Sequence, residues 1–117
     1  MELITDQEII AGYLSDASNI RGTAEALARP SSTEEVSGLL RNCQRYGIPL
    51  TVTARRTSTT GGPVPEGGWL LSTERLDSIH SLTEVGGGVL LGEYQSFTEQ
   101  QGLLFPPDPT SRNECSV

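Results

Sequence analysis

The order of the segments between residues 24 and 53 constrains the fold more than any single residue does. A short apolar run, "AEALA" (Ala24 to Ala28), reads as a strand and is closed by Pro30. "SSTEE" follows with Ser32 and Glu35 at capping-box spacing, which predicts the start of a helix. Val36, Leu39, Leu40, Cys43 and Tyr46 fall on one face of that helix, and Gly47 supplies its stop. "IPLTVT" (Ile48 to Thr53) is then a strand of the kind that follows a helix in a β-α-β unit. Mixed α and β structure follows, and Cys43 reads as core filling rather than as a nucleophile.

The remaining segments are read more locally. Asp6 to Leu14 places Ile9, Ile10, Tyr13 and Leu14 at helical spacing, running into the loop "SDASNIRG". "WLLST" (Trp69 to Thr73) is the next strand. "SIHSLTEV" (Ser78 to Val85) and "GVLLGEY" (Gly88 to Tyr94) are read as a strand pair turning at Gly86 to Gly88, with His80 a solvated residue of that pair. "SFTEQQG" (Ser96 to Gly102) is a helical turn, and the prolines of "FPPDPTS" (Phe105 to Ser111) make a rigid segment. At 117 residues the chain has the size of one domain, or part of one.

One stretch is too elaborate for a connection. "TARRTSTTGGPVPEGGW" (Thr53 to Trp69) sets two arginines, a run of hydroxyls, four glycines and two prolines between strands. Backbone N–H groups in such a turn can converge on one point because side chains do not block the approach, and nests of this kind bind phosphate oxygens. Thr57, Ser58, Thr59 and Thr60 add hydroxyls, while Arg55 and Arg56 bring positive charge. Glu66 is the only acid between Ile48 and Ser72, in a chain whose net charge is −7. A surface loop rich in turn formers is the competing reading.

Several classes are excluded or disfavoured. The acidic balance argues against nucleic acid or an anionic membrane as a general partner. No apolar run approaches the roughly 20 residues that cross a bilayer. The N-terminus is acidic where a secretory signal would be basic, so a cytoplasmic location is expected. Cys43 and Cys115 form no paired motif, in keeping with a reducing compartment. One histidine and two distant cysteines give no metal site. The loop lacks the Lys and Ser or Thr of a P-loop, and it leads into a strand rather than a helix, unlike a dinucleotide fingerprint. Near Gly86 that fingerprint fails again, with Leu91 where its last glycine belongs.

"RPSSTEEVSGLLRNCQRYGIPLTVTARRTSTTGGPVPEGGWLLSTERLDSI" and "GLLFPPDPTS" together resemble the FAD-binding domain of FAD-linked oxidases of the vanillyl-alcohol oxidase and p-cresol methylhydroxylase type. Within that superfamily the D-lactate dehydrogenase and glycolate oxidase branch is most similar. The resemblance implies an α+β fold of the PCMH type, with residues 1–117 forming its N-terminal portion: a first α/β subdomain and the start of a second, incomplete. It implies FAD as cofactor, with Thr53, Ala54, Arg55, Arg56, Thr57, Ser58, Thr59, Thr60, Gly61 and Gly62 wrapping the diphosphate. Pro107, Asp108, Pro109, Thr110 and Ser111 would then lie against the flavin. The implied activity is hydride transfer from a 2-hydroxy acid such as D-lactate or glycolate. No catalytic residue is assigned, because in the family those groups come largely from later sequence.

The chain departs from the family where many members carry small residues, chiefly glycine, in place of Ala54, Arg55 and Ser58. Arg56 before Thr57 resembles a variant with arginine in place of glycine. Two other readings stay open. One is a stand-alone nucleotide- or phosphate-binding module without redox activity. The other is an inactive fragment whose uncovered sheet edge leads it to self-associate.

Overall fold

The computed structural model describes residues 1–117 and centres on a four-stranded sheet. Its strands are β1 (Leu3–Ile4), β2 (Ala26–Ala28), β3 (Leu50–Thr53) and β4 (Trp69–Ser72), in the spatial order β1, β2, β4, β3. β2, β4 and β3 are parallel, and β1 adds an antiparallel edge that its two-residue length kept hidden in the sequence. β2 is buried throughout and β4 nearly so, as their uninterrupted apolar runs require of strands covered on both faces.

Two helical layers provide that cover. On one face α1 (Gln7–Ile10), extended by a 3-10 turn at Ala11–Tyr13, sets Ile10 and Leu14 against Ala24, Leu27 and Leu70. On the other, α2 (Thr33–Tyr46) packs Leu39 and Cys43 against Ala28 and Leu71. Adjacent Leu70 and Leu71 thus serve opposite layers, the period of two expected of a strand. Burying each is worth about 2 kcal/mol in transfer terms.

α2 begins and ends as its sequence predicts. The Ser32 hydroxyl accepts from the Glu35 N–H at 3.2 Å, and Gly47 closes the helix in the left-handed region at φ 64°. The Glu35 carboxylate reaches back to the Ser31 N–H, one residue before the cap, at 2.7 Å. Cys43 is core filling as expected, but Leu40 and Tyr46 are 48% and 66% exposed. The buried stripe is narrower than the apolar one because only one side of α2 meets the short strands.

The expected strand pair after β4 does not form. Ile79 bridges to Val85 within the first segment and Leu90 bridges to Ser116, so neither joins the two segments, and α3 runs from Leu91 to Gln100 across residues read as strand and then as a helical turn. Leu91, Tyr94 and Thr98 are its buried residues, a helical spacing that the short run "VLL" conceals. Gly86 and Gly88 are demanded by close packing rather than by a turn. A Cβ at either would stand 2.0 Å from a carbonyl oxygen, of Leu76 or Thr73 respectively. His80 lies exposed in this irregular segment, its N–H donating to the Glu84 carbonyl at 2.9 Å. No helix is long and apolar enough to cross a membrane.

Candidate anion-binding site

Because β3 and β4 are parallel neighbours, the chain leaving Thr53 must travel back along the sheet before Trp69 can begin β4. Such crossovers usually contain a helix. Residues 54–68 contain none, and connections of this length without regular structure are uncommon in compact folds except where they serve a function. The crossover starts at the carboxyl ends of the parallel strands, where ligands of open α/β sheets gather.

Its first part is held from outside. The Ala17 N–H donates to the Ser58 carbonyl at 2.8 Å, and the Gly61 N–H donates to Asp16 Oδ2 at 2.9 Å. Asp16 Oδ1 accepts from the Ser18 N–H at 2.9 Å and from the Ser18 hydroxyl. Led by that hydroxyl, and helped by the Ser18 and Gly61 N–H groups, these bonds hold the Asp16 carboxyl below its ordinary value. Asp16 and Ser18 belong to "SDAS", which the sequence marked as a loop but gave no role. An acid followed two residues later by serine was the available signal, since such residues fold back on their own backbone.

Between these ties the loop keeps its donors unspent. From Arg55 through Thr59 no backbone N–H donates to a protein acceptor. Neither Arg55 nor Arg56 has a carboxylate within ion-pairing distance. A groove of ≈ 290 Å³ opens along Val52, Ala54, Arg55, Arg56, Thr57, Ser58 and Pro63, and no acid lines it. Thr53, the last residue of β3, lies outside that lining at 1% exposure, and its hydroxyl is the one buried side-chain polar atom without a partner. Five N–H groups without protein acceptors beside two uncompensated guanidiniums are the kind of donor set that binding an anion with several oxygens requires.

Thr59 and Thr60 are exposed; Thr60 spends its N–H on the Ser58 hydroxyl at 3.2 Å, and Gly61 takes φ 79°. The second expected group lies elsewhere. Pro107, Asp108, Pro109 and Thr110 are exposed beside α3, where Gln95 Nε2 donates to the Pro107 carbonyl at 2.8 Å and to Asp108 at 3.2 Å. Gln95, then Arg112, hold the Asp108 carboxyl below its ordinary value. The Ser111 carbonyl accepts from the Cys115 N–H at 2.8 Å. It is Cys115 and Ser116, not Pro107 to Ser111, that share the groove with Arg55 and Arg56.

A larger cleft, ≈ 440 Å³, opens between the start of α2 and residues 76–87. Its lining includes Glu34 and Glu84 and no arginine, so the smaller groove is the better anion site.

The Asp16 tie makes a pH prediction. Because its carboxyl is lowered by folding, its contribution is present above the ordinary aspartate value of 3.8 and is lost as pH falls below it. The protection factor of the Gly61 amide, which removes the intrinsic pH dependence of exchange, should therefore fall below that pH in the native chain. Asp16→Asn should already exchange faster at neutral pH and show a flatter acid response; an unchanged acid response would remove Asp16 from the loop's support.

Comparison with known proteins agrees with this geometry. Residues 24–117 match the family described as FAD binding domain, a match that includes the whole crossover. The chain is 34% identical to a D-lactate dehydrogenase of Anaerostipes hadrus over 92% of its own length and 24% of that protein. It is 31% identical to the glycolate oxidase subunit GlcD of Bacillus subtilis, over 80% of this chain and 21% of that one. The solved structure of p-cresol methylhydroxylase with substrate bound superposes with a TM-score of 0.70 at 18% identity, over 86% of this chain and 22% of that one. The chain thus spans about a quarter of the length of the curated relatives it matches.

Proposed function

This chain belongs to the FAD binding domain family, and from that premise we propose that the loop Thr53–Gly62 holds the diphosphate of FAD. The whole flavoprotein is read as an enzyme oxidising a 2-hydroxy acid such as D-lactate or glycolate, a reading supported by the names of its relatives; its cytoplasmic location is read from the sequence alone. The observation that carries the binding reading is the run of uncommitted N–H groups from Arg55 to Thr59 beside two unpaired arginines.

The residues present fit the cofactor. Arg55 and Arg56 would neutralise the diphosphate, the amides of residues 55–59 would donate to its oxygens, and the Thr57 and Ser58 hydroxyls would add donors at the groove wall. Thr53 offers a buried hydroxyl at the loop's root. FAD, when bound, supplies the two-electron acceptor of the reaction. This chain's part is to bind and orient; the proline-rich segment Pro107 to Ser111 is proposed to flank the flavin end.

The test is a titration of the purified chain, shown to be folded by circular dichroism, with FAD, ADP and riboflavin. Flavin fluorescence and calorimetry would report binding. FAD and ADP, which share the diphosphate, should both saturate, and riboflavin, which lacks it, should not. A folded chain that binds neither FAD nor ADP would overturn the reading.

A further inference from the structure

Arg56 stands in the left-handed region at φ 58°, a conformation long side chains seldom adopt without outside support. The support is visible. Its guanidinium carbon lies over the Tyr13 ring, 4.8 Å from the centroid. The Tyr13 hydroxyl donates to Glu74 Oε1 at 2.8 Å, and Arg29 Nη1 lies 3.6 Å from that same oxygen. Arg29 follows the end of β2, Arg56 the end of β3 and Glu74 the end of β4. Three parallel strands thus deliver one polar chain to the end of the sheet where the groove opens.

We propose that Tyr13, anchored through Glu74 and Arg29, is the positioning residue that holds Arg56 at the mouth of the groove, an inference that rests on the loop's holding the FAD diphosphate. A cation over an aromatic ring is attracted through its flat face, while guanidinium donors lie in the plane. Arg56 can therefore be fixed by Tyr13 and still present N–H groups to an anion. The phenol strengthens the arrangement, since donating to a carboxylate leaves more electron density on the ring. Burial, and then Glu74, raise the Tyr13 phenol above its ordinary value, so it keeps its proton and its bond at neutral pH. An arginine held in place before the ligand arrives loses less side-chain freedom on binding. Arg55, exposed and without such a clasp, has no equivalent.

The experiment is a double-mutant cycle on the full chain, with FAD, ADP and riboflavin as ligands and circular dichroism as the folding control. Tyr13→Ala should weaken FAD and ADP by roughly three- to tenfold. Tyr13→Phe, which keeps the ring, should recover much of that loss. In an Arg56→Gly background Tyr13→Ala should have no further effect. If Arg56→Gly weakens binding while Tyr13→Ala does not, or if the two losses simply add, the positioning role is wrong and the diphosphate loop stands. If Arg56→Gly changes neither ligand, the loop reading itself fails. Should Tyr13→Ala lose its fold, Tyr13→Leu carries the test: it fills the space without offering a ring face and should weaken FAD and ADP only when Arg56 is present, equal loss without Arg56 overturning the proposal.

Discussion

Gly68→Ala is expected to lower the stability of the chain by roughly 2–5 kcal/mol, enough to reduce Tm by about 10 °C or more. Two separate costs meet at this residue. Its φ is 68°, where any side chain is disfavoured, and an added Cβ would stand 2.2 Å from the Pro49 carbonyl oxygen, which is backbone and cannot swing aside. The Pro49 carbonyl is already committed, accepting from the Trp69 N–H at 2.9 Å, and the Gly68 carbonyl accepts from the Glu25 N–H at 2.8 Å. Gly68 is therefore the point at which the crossover is threaded between the start of β3 and the residues before β2. Gly67 is the control. It shares the positive φ, 83°, but a Cβ there meets nothing within 4 Å, so Gly67→Ala should cost only about 1–2 kcal/mol. Equal losses in thermal unfolding would mean that backbone conformation, not the approach to Pro49, sets the demand.

The second large effect concerns ligand affinity. Replacing Arg55 and Arg56 together by alanine should weaken FAD and ADP by roughly hundredfold or more, since each charge-assisted contact is worth about 1.5–3 kcal/mol. The same change takes the net charge from −7 to −9, so a loss from overall electrostatics must be separated from a loss at the groove. Arg41→Ala with Arg45→Ala makes the same change of charge on exposed positions of α2. That pair should shift affinity little. If the two double variants weaken ADP equally in calorimetry, the arginines act only through the general field and the groove is not the site.

The β2-α2-β3 passage was legible because each signal in it is local: a proline that ends a strand, a serine that caps a helix, a glycine that closes it. The order of the sheet was not. Nothing near Trp69 says that β4 inserts between β2 and β3, parallel to both, yet that parallel pairing forces the crossover to run back along the sheet. The failed reading of residues 78–94 has a different cause. Val89, Leu90 and Leu91 suit a strand or a helix equally over so short a run, and what decides is the fastening of α3 by the Cys115 carbonyl to the Leu91 N–H and the Leu82 carbonyl to the Tyr94 hydroxyl. The stretch Thr53 to Trp69 was marked from composition, and its part Thr53 to Gly62 from the family resemblance, whereas Tyr13, Asp16, Arg29 and Glu74 reach it only through tertiary structure. Pro107 to Ser111 was marked for the flavin end of the cofactor; its hydrogen bonds run to α3 and Arg112, and Cys115 and Ser116 are the C-terminal residues that share the groove with Arg55 and Arg56.

The absence of a helix from the crossover has a kinetic meaning. A helix N-terminus would bring its own fixed positive pole to an incoming phosphate. Here attraction resides in two side chains on a molecule of net charge −7. A dianionic ligand is thus repelled by the molecule at long range and drawn in only within about 10 Å at 0.1 M salt. Added salt should then act in opposite senses on the two rates, quickening the encounter by damping the repulsion and hastening release by weakening the grip of Arg55 and Arg56.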